Sequence, residues 1–264
     1  MTMNSETIER AAELLWTTWQ EGGLLDALPE AFRPASVPEG FAIQAAITRL
    51  SGDSRFGWKI AATSAAGQAH IGVDGPLAGT LLAGRARPCP ARFPLGANLM
   101  RVAEAEFAFR IGRDLPARAE PYSAEEVLGA VTSLHPAIEV PDSRYRDFAR
   151  VGAAQLTADN ACASWFALGP ATDRKWRELD LAQHPVRAYV NGSLAQSGSG
   201  ANVLGDPRVA LTWMANALSR FGTGLAEGEV VTTGTCVKPV VVDEGDTVVA
   251  DFGPLGRAEV AFDA

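Results

Sequence analysis

The 264-residue sequence predicts a mixed α/β (α+β) protein, helical at its N-terminus and mainly β beyond it. Three observations carry that expectation. Apolar residues recur at helical spacing before residue 56, and short apolar runs broken by glycine and proline follow it. Two further helices with clear start signals interrupt those runs.

The first helix is read from Ile8, Ala11, Ala12, Leu15 and Trp19, and Gly22-Gly23 end it. A link with Pro29, Pro34 and Pro38 leads to a second amphipathic stretch that sets Ile43, Ala46, Ile47 and Leu50 on one face. A boundary is therefore placed at residue 56, separating a helical region (1–56) from a larger domain (57–264). Within that domain, Ser123-Ala-Glu-Glu126 has capping-box spacing ahead of Val127, Leu128, Val131 and Leu134. Asp206-Pro207 supplies a cap and a first-turn proline for a helix that stops at Gly222. Asn191-Gly192 marks a hairpin. The tail from Glu229 reads as three or four antiparallel strands joined by Glu244-Gly245 and Gly253-Pro-Leu-Gly256.

Composition narrows the function classes. At 47% hydrophobic the chain is too apolar to be disordered. Lys+Arg 23 against Asp+Glu 31 gives a net charge of -8 without a basic cluster, which argues against nucleic acid and anionic membranes as partners. No run of roughly 18 apolar residues occurs, and the acidic N-terminus does not read as a secretion signal. Cys89, Cys162 and Cys236 form no CxxC motif, so neither a disulfide framework nor a zinc knuckle is expected, and a reducing cytoplasm fits best. Cys162 and Cys236 read as packing residues rather than nucleophiles, since no histidine is placed to activate them.

The most informative stretch is Val102-Ala-Glu104-Ala-Glu106-Phe-Ala-Phe109. On a strand, Glu104 and Glu106 share one face, about 6.6 Å apart along the backbone. Two readings stand: a solvated strand face, or a pair of carboxylates converging on a cation. Glu139, alone in the apolar run His135–Val140, is either a partner of Arg144 or a third oxygen ligand of an octahedral Mg²⁺ or Mn²⁺. Lys59 interrupts the apolar run Gly57–Ala62. It either snorkels to the surface or lies buried beside a cation, where desolvation and the cation's charge would make it a general base near neutral pH.

The order GWKIAATS, IGVDGP, EAEFAF, HPAIEVPDSR, TADNACAS, VLGDPRVALTWMANAL, TTGT and DTVVADFGPLG resembles the 2-keto-4-pentenoate hydratases. These are grouped with the 4-oxalocrotonate decarboxylases in the fumarylacetoacetate hydrolase superfamily. The resemblance runs from Phe56 to the C-terminus and implies a curved β-roll with flanking helices. It implies that Glu104, Glu106 and Glu139 bind Mg²⁺ or Mn²⁺, that Lys59 lies beside a 2-oxo or 2-hydroxydienoate acid, and that the chain is a homo-oligomer. Thr63, Ser64, Asp159, Asn160 and the Thr233–Thr235 loop match segments near the substrate; for Asp159-Asn160 a turn or capping role stands alongside. Where family hydratases carry an Asp after the GVD segment, this chain has Leu77, so His70 or Asp74 is expected to replace it in proton transfer.

The function expected is hydration of a 2-hydroxy-2,4-dienoate to a 4-hydroxy-2-oxo acid. Alternatives are decarboxylation of a 2-oxo diacid, acylpyruvate hydrolysis (which needs a His–Glu pair not found in the sequence), and a non-catalytic keto-acid-binding partner subunit.

Overall fold

A computed structural model describes residues 3–263. Helix α1 (Ser5–Glu21) starts where the Asn4 side chain accepts a hydrogen bond from the Thr7 N–H at 2.9 Å, and ends at Gly22 in a left-handed conformation. Ser36 caps α2 (Val37–Ser51), with Pro38 in its first turn. Apolar residues of α1 and α2 pack with Leu28, Leu82, Tyr145 and Ala158 into one core, tying the N-terminal helices to the rest of the chain. Leu50, expected on the packed face, is instead among the exposed large apolar residues.

The remaining elements are β1 (Arg55–Ala61), α3 (Ala65–Ile71), β2 (Leu77–Leu82), β3 (Ala86–Pro88), β4 (Ala91–Pro94), β5 (Val102–Ile111), α4 (Ala124–Gly129), β6 (Val131–Val140), α5 (Gly152–Ala158), β7 (Trp165–Leu168), β8 (Pro185–Val190), β9 (Ser193–Ser199), α6 (Pro207–Arg220), β10 (Val230–Thr235), β11 (Val240–Val241), β12 (Thr247–Asp251) and β13 (Arg257–Asp263). Eight strands form a curled sheet in the order β2-β1-β10-β5-β6-β7-β3, with β11 on β5; five form a second sheet, β4-β13-β12-β8-β9. The large core lies between the sheets and α6, with Trp58, Phe107, Phe109 and Ile138 from the first sheet and Phe93, Val248, Val260 and Phe262 from the second. Because strand residues alternate, the neighbours of those core residues (Lys59, Glu106 and Glu139) face the other way.

Four differences from the sequence reading have physical causes. Val131 and Leu134 open β6 instead of extending α4, since pairing with β5 rewards a β-branched run over a longer helix. The tail does form four strands, but they divide between the two sheets. One of them, β10, pairs with β1 in parallel. Helices α3 and α5 are additional, each only seven residues long and so too short to show a period.

Candidate metal centre

Strands β5 and β6 run antiparallel with Glu104 opposite Glu139 and Glu106 opposite Ala137, and β10 sets Thr235 opposite Glu106. One carboxylate oxygen from each of Glu104, Glu106 and Glu139 lies within 4.8 Å of the others. Glu106 and Glu139 are fully buried, and Glu104 is half-buried. Like charges directly opposite on neighbouring strands repel. Glu106 Oε1 and both Glu139 oxygens, moreover, are buried without a hydrogen-bond partner. Buried carboxylate oxygens that are neither solvated nor bonded are costly. A hard divalent cation is the group this all-oxygen donor set fits.

The surroundings leave those oxygens free by design of the backbone. Glu106 Oε2 accepts from the Thr232 hydroxyl and from the Gly234 N–H at 2.8 Å, which directs Oε1 away from β10. The Gly234 N–H reaches it because the β5–β10 register shifts between Thr232 and Thr235. Gly234 has φ +100, and a Cβ there would meet Thr63 Oγ1 at 2.1 Å, so only glycine fits.

Lys59 on β1 lies between Thr232 on β10 and Gly79 on β2. Its Nζ donates to the Ala161 carbonyl at 3.1 Å and lies 3.4 Å from Glu139 Oε2. That carbonyl belongs to an unusual turn in which Asn160, Ala161 and Cys162 all have positive φ (55, 48 and 61). Such conformations cost roughly 1–2 kcal/mol per non-glycine residue, and two anchors hold the turn in place. The Asn160 amide mimics a neighbouring strand, accepting from the Thr80 N–H at 2.7 Å and donating to the Thr80 carbonyl at 2.8 Å. Asp159 forms a buried ion pair with Arg144 and accepts from the Ser143 hydroxyl at 2.7 Å. Gly79 makes room: a Cβ there would lie 2.4 Å from the Asn160 carbonyl oxygen.

The electrostatics follow from this crowding. Burial, with Glu104 adding to it, pushes the Glu139 carboxyl up to about 8 against the pull of Lys59. Burial and the two neighbouring acids raise Glu106 well above the usual carboxylate range, and burial raises Glu104. For Lys59, burial works to lower its ammonium, but Glu139, and then Glu104, outweigh it and hold it above its ordinary value. With no cation among the glutamates, Lys59 is therefore their counter-ion and not a neutral base.

The structure thus brings together Glu104, Glu106, Glu139 and Lys59. Thr63 is buried with its hydroxyl against Gly234. The Thr235 hydroxyl donates to the Val237 carbonyl at 2.7 Å. Ser64 caps α3 by accepting from the Gly67 N–H at 3.1 Å. Both Asp159 oxygens and both ends of the Asn160 amide are occupied by hydrogen bonds within the protein, which agrees with the turn role that stood beside substrate contact. Glu139 does not pair with Arg144, whose partner is Asp159. His70 and Asp74 are exposed; His70 packs edge-on to Phe148, and neither side chain hydrogen-bonds to the cluster. Leu77 is buried with Val73, Leu156 and Ala161. Sequence reasoning missed Thr232. It named the neighbouring Thr233–Thr235 loop, yet Thr233 faces away and donates to the Phe107 carbonyl at 3.0 Å.

Three glutamates and a lysine sit together on one face of a curled sheet, an all-oxygen donor set that fits a hard divalent cation. Residues 80–262 match the fumarylacetoacetate (FAA) hydrolase C-terminal family, and the chain belongs to it. It is 32% identical, over 99% of its length and 97% of the relative's, to the 2-keto-4-pentenoate hydratase of Paraburkholderia xenovorans (strain LB400). It is 30% identical to the 2-hydroxyhexa-2,4-dienoate hydratase of Comamonas testosteroni, with 98% of each chain covered. Among solved structures, the 4-oxalocrotonate decarboxylase from Pseudomonas putida G7, complexed with magnesium and adipate, superimposes with a TM-score of 0.89 at 26% identity over 99% of both chains.

Proposed function

We propose that this protein is a divalent-metal-dependent hydro-lyase that adds water to a 2-hydroxy-2,4-dienoate to give a 4-hydroxy-2-oxo acid. The observation that carries the reading is the set of buried, unpartnered oxygens of Glu106 and Glu139 beside Glu104, with Lys59 Nζ at their edge. Glu104, Glu106 and Glu139 would hold Mg²⁺, or Mn²⁺, which takes the same donors. Bound there, the cation supplies Lewis acidity for the 2-oxo and carboxylate oxygens of the substrate. The hydratase names of the relatives support the same reaction class.

Hydration consumes one C=C bond and one water, and protons move from the 2-hydroxyl to carbon as the dienol becomes the oxo form. Lys59 is the basic side chain in contact with the cluster, so it holds and moves that proton at Nζ. Neutralising the glutamates removes what keeps its ammonium stable and leaves desolvation to lower it. The Ala161 carbonyl fixes the direction of Nζ. Leu77 and its apolar neighbours exclude water from the β2 side of the lysine.

Decarboxylation of a 2-oxo diacid is the second reading, favoured by one observation: Leu77 leaves no carboxylate at that wall, and decarboxylation needs no water to be activated. Acylpyruvate hydrolysis loses support. His135 bonds Ser133 and the Gly169 carbonyl, His184 bonds the Phe252 carbonyl, and His70 is exposed, so no histidine pairs with a glutamate among the described residues. A non-catalytic partner subunit is disfavoured because it has no physical reason to keep a costly buried triad.

Mixing the protein, Mg²⁺ and 2-hydroxypenta-2,4-dienoate is expected to bleach the diene absorbance, with a mass gain of water in the product. Loss of CO₂ from a 2-oxo diacid would establish the second reading instead. Hydration that survives both EDTA and Glu106→Gln refutes the proposal. Among the described residues no helix is long and apolar enough to cross a membrane. All three cysteines are free, which supports a reducing cytoplasm. Assembly as a homo-oligomer rests on the family resemblance, and size-exclusion chromatography with light scattering tests it.

A further inference from the structure

A cavity of about 260 Å³ lies between α1, the link after β2 and the adjoining ends of β6 and β7. Trp19, Arg85, Asn98, Arg144, Ser164 and Trp165 line it, and none of the three glutamates does. The Arg85 guanidinium lies over two indoles, 4.8 Å from the Trp19 ring centre and 4.6 Å from that of Trp165. Although half-buried, it has neither a hydrogen bond nor an ion pair among the described residues. Arginines that line cavities usually end on an acceptor, and Arg144 shows the contrast. Its donors are taken by Asp159, the Asp142 carbonyl at 3.0 Å and the Ala163 carbonyl at 3.4 Å. On the same wall Asp142 accepts from the Leu99 and Ser143 N–H groups at 2.8 and 3.0 Å, both at Oδ1. Ser164 is buried at the cavity wall, and its hydroxyl makes no hydrogen bond among the described residues.

Stacking on indoles fixes the guanidinium plane while leaving its N–H edge free, the arrangement in which arginine takes a carboxylate in two parallel hydrogen bonds. The cavity is smaller than the roughly 300–1,000 Å³ of sites for larger ligands, so its occupant is small. We propose that this cavity binds a small carboxylate anion at a site separate from the glutamate cluster, with the Arg85 guanidinium as its main donor and the Ser164 hydroxyl as a second. A guanidinium fork takes carboxylates and tetrahedral oxyanions alike in two hydrogen bonds, so sulfate and phosphate are the comparison that tests the choice of a carboxylate. The site lies back to back with the metal centre: Phe166, two residues after Ser164, pairs with Glu139 across β6 and β7.

The test uses the full chain in EDTA, so that chelation by the glutamates contributes nothing and the outcome is independent of the proposed reaction. Tryptophan fluorescence, to which Trp19 and Trp165 contribute among six tryptophans, is titrated with acetate and succinate at constant ionic strength, with sulfate and phosphate as comparison arms, and the titration is repeated in Trp165→Phe to assign the signal. Saturable binding of a carboxylate is expected, weakened about tenfold or more by Arg85→Gln. Arg87→Gln, at an exposed neighbour whose donors reach the Gly84 and Ala86 carbonyls, is expected to leave it unchanged. If Arg85→Gln does not fold by circular dichroism, Ser164→Ala provides the test and is expected to weaken binding severalfold. No saturation up to about 10 mM, or equal affinity in the variant that folds, overturns the site. Sulfate or phosphate binding as tightly as the carboxylates overturns the choice of ligand.

Discussion

Removing a cation from the three glutamates is expected to make stability fall with rising pH where the loaded protein shows no such fall. In the metal-free protein, burial and the neighbouring acids push the Glu139 carboxyl up to about 8, and Glu104 and Glu106 shift in the same direction. In the unfolded chain these groups titrate near 4.5. Between those values the folded state keeps at least one proton that the unfolded state has released. The folded form then binds more protons, so unfolding free energy falls as pH rises from about 4.5 to about 8. One proton corresponds to a slope of about 1.4 kcal/mol per pH unit. For a chain of this length that is about 3–5 °C of melting temperature per unit. A bound cation holds the carboxylates ionised in the folded state and removes the slope. Urea melts at pH 5.5, 6.5 and 7.5, in EDTA and in excess Mg²⁺, isolate the effect as the difference between the two series, because every other titrating group is common to both. Calorimetry in buffers of different ionisation enthalpy should show about one proton released per Mg²⁺ bound at pH 6.5. Parallel pH profiles with and without Mg²⁺, together with no proton release, would refute the claim that these three carboxylates form the metal site.

Four further outcomes are expected. Glu106→Gln removes a ligand and a repulsive charge together, so Mg²⁺ affinity measured by calorimetry drops about 100-fold or more, while the metal-free melt stays level or rises. Asp159→Ala strands the buried Arg144 guanidinium, costing about 3–5 kcal/mol in urea unfolding; a cost under about 1 kcal/mol would show that the pair is not essential to the turn. Gly79→Ala sets a methyl 2.4 Å from the Asn160 carbonyl oxygen, displacing the Lys59 acceptor. It is expected to lower kcat about tenfold or more with Mg²⁺ affinity retained. His70→Ala and Asp74→Asn, both at exposed side chains, are expected to keep kcat within about twofold of the unmutated protein.

The parts of the site legible in the sequence are those that one strand writes by itself. Glu104 and Glu106 repeat at the strand period, so their shared direction follows from alternation, while their burial, left open between a solvated face and a cation site, comes from the packing of β5 against β6 and β10. The caps at Ser123 and Asp206 and the Asn191-Gly192 turn are local in the same sense. What lies outside that reach is partnership. Arg144, five residues past Glu139, is one of two partners that proximity allows for it, the other being a cation. But Glu139 sits within β6 facing β5, whereas Arg144 lies beyond the strand end, where the chain has turned toward Asp159. Likewise nothing local announces that β1 and β10, some 170 residues apart, lie side by side, and that pairing is what sets Lys59 next to Thr232.

The left-handed turn at Asn160–Cys162 shows why such support is hard to read yet decisive. The segment carries a turn signal at Asp159-Asn160, but nothing local predicts positive φ continuing through Ala161 and Cys162. Its conformation is imposed from three distant directions: Thr80 on β2 through the Asn160 amide, Arg144 through Asp159, and the missing side chain of Gly79. The strain, roughly 1–2 kcal/mol for each residue, is matched by the task it performs, which is to aim one carbonyl at Lys59 Nζ from the side away from the glutamates. A lysine held only by the carboxylates would move with them as a cation binds and their charge is cancelled. Anchored to a carbonyl on a strained but over-determined turn, it is held by a contact that does not depend on the charge of the carboxylates.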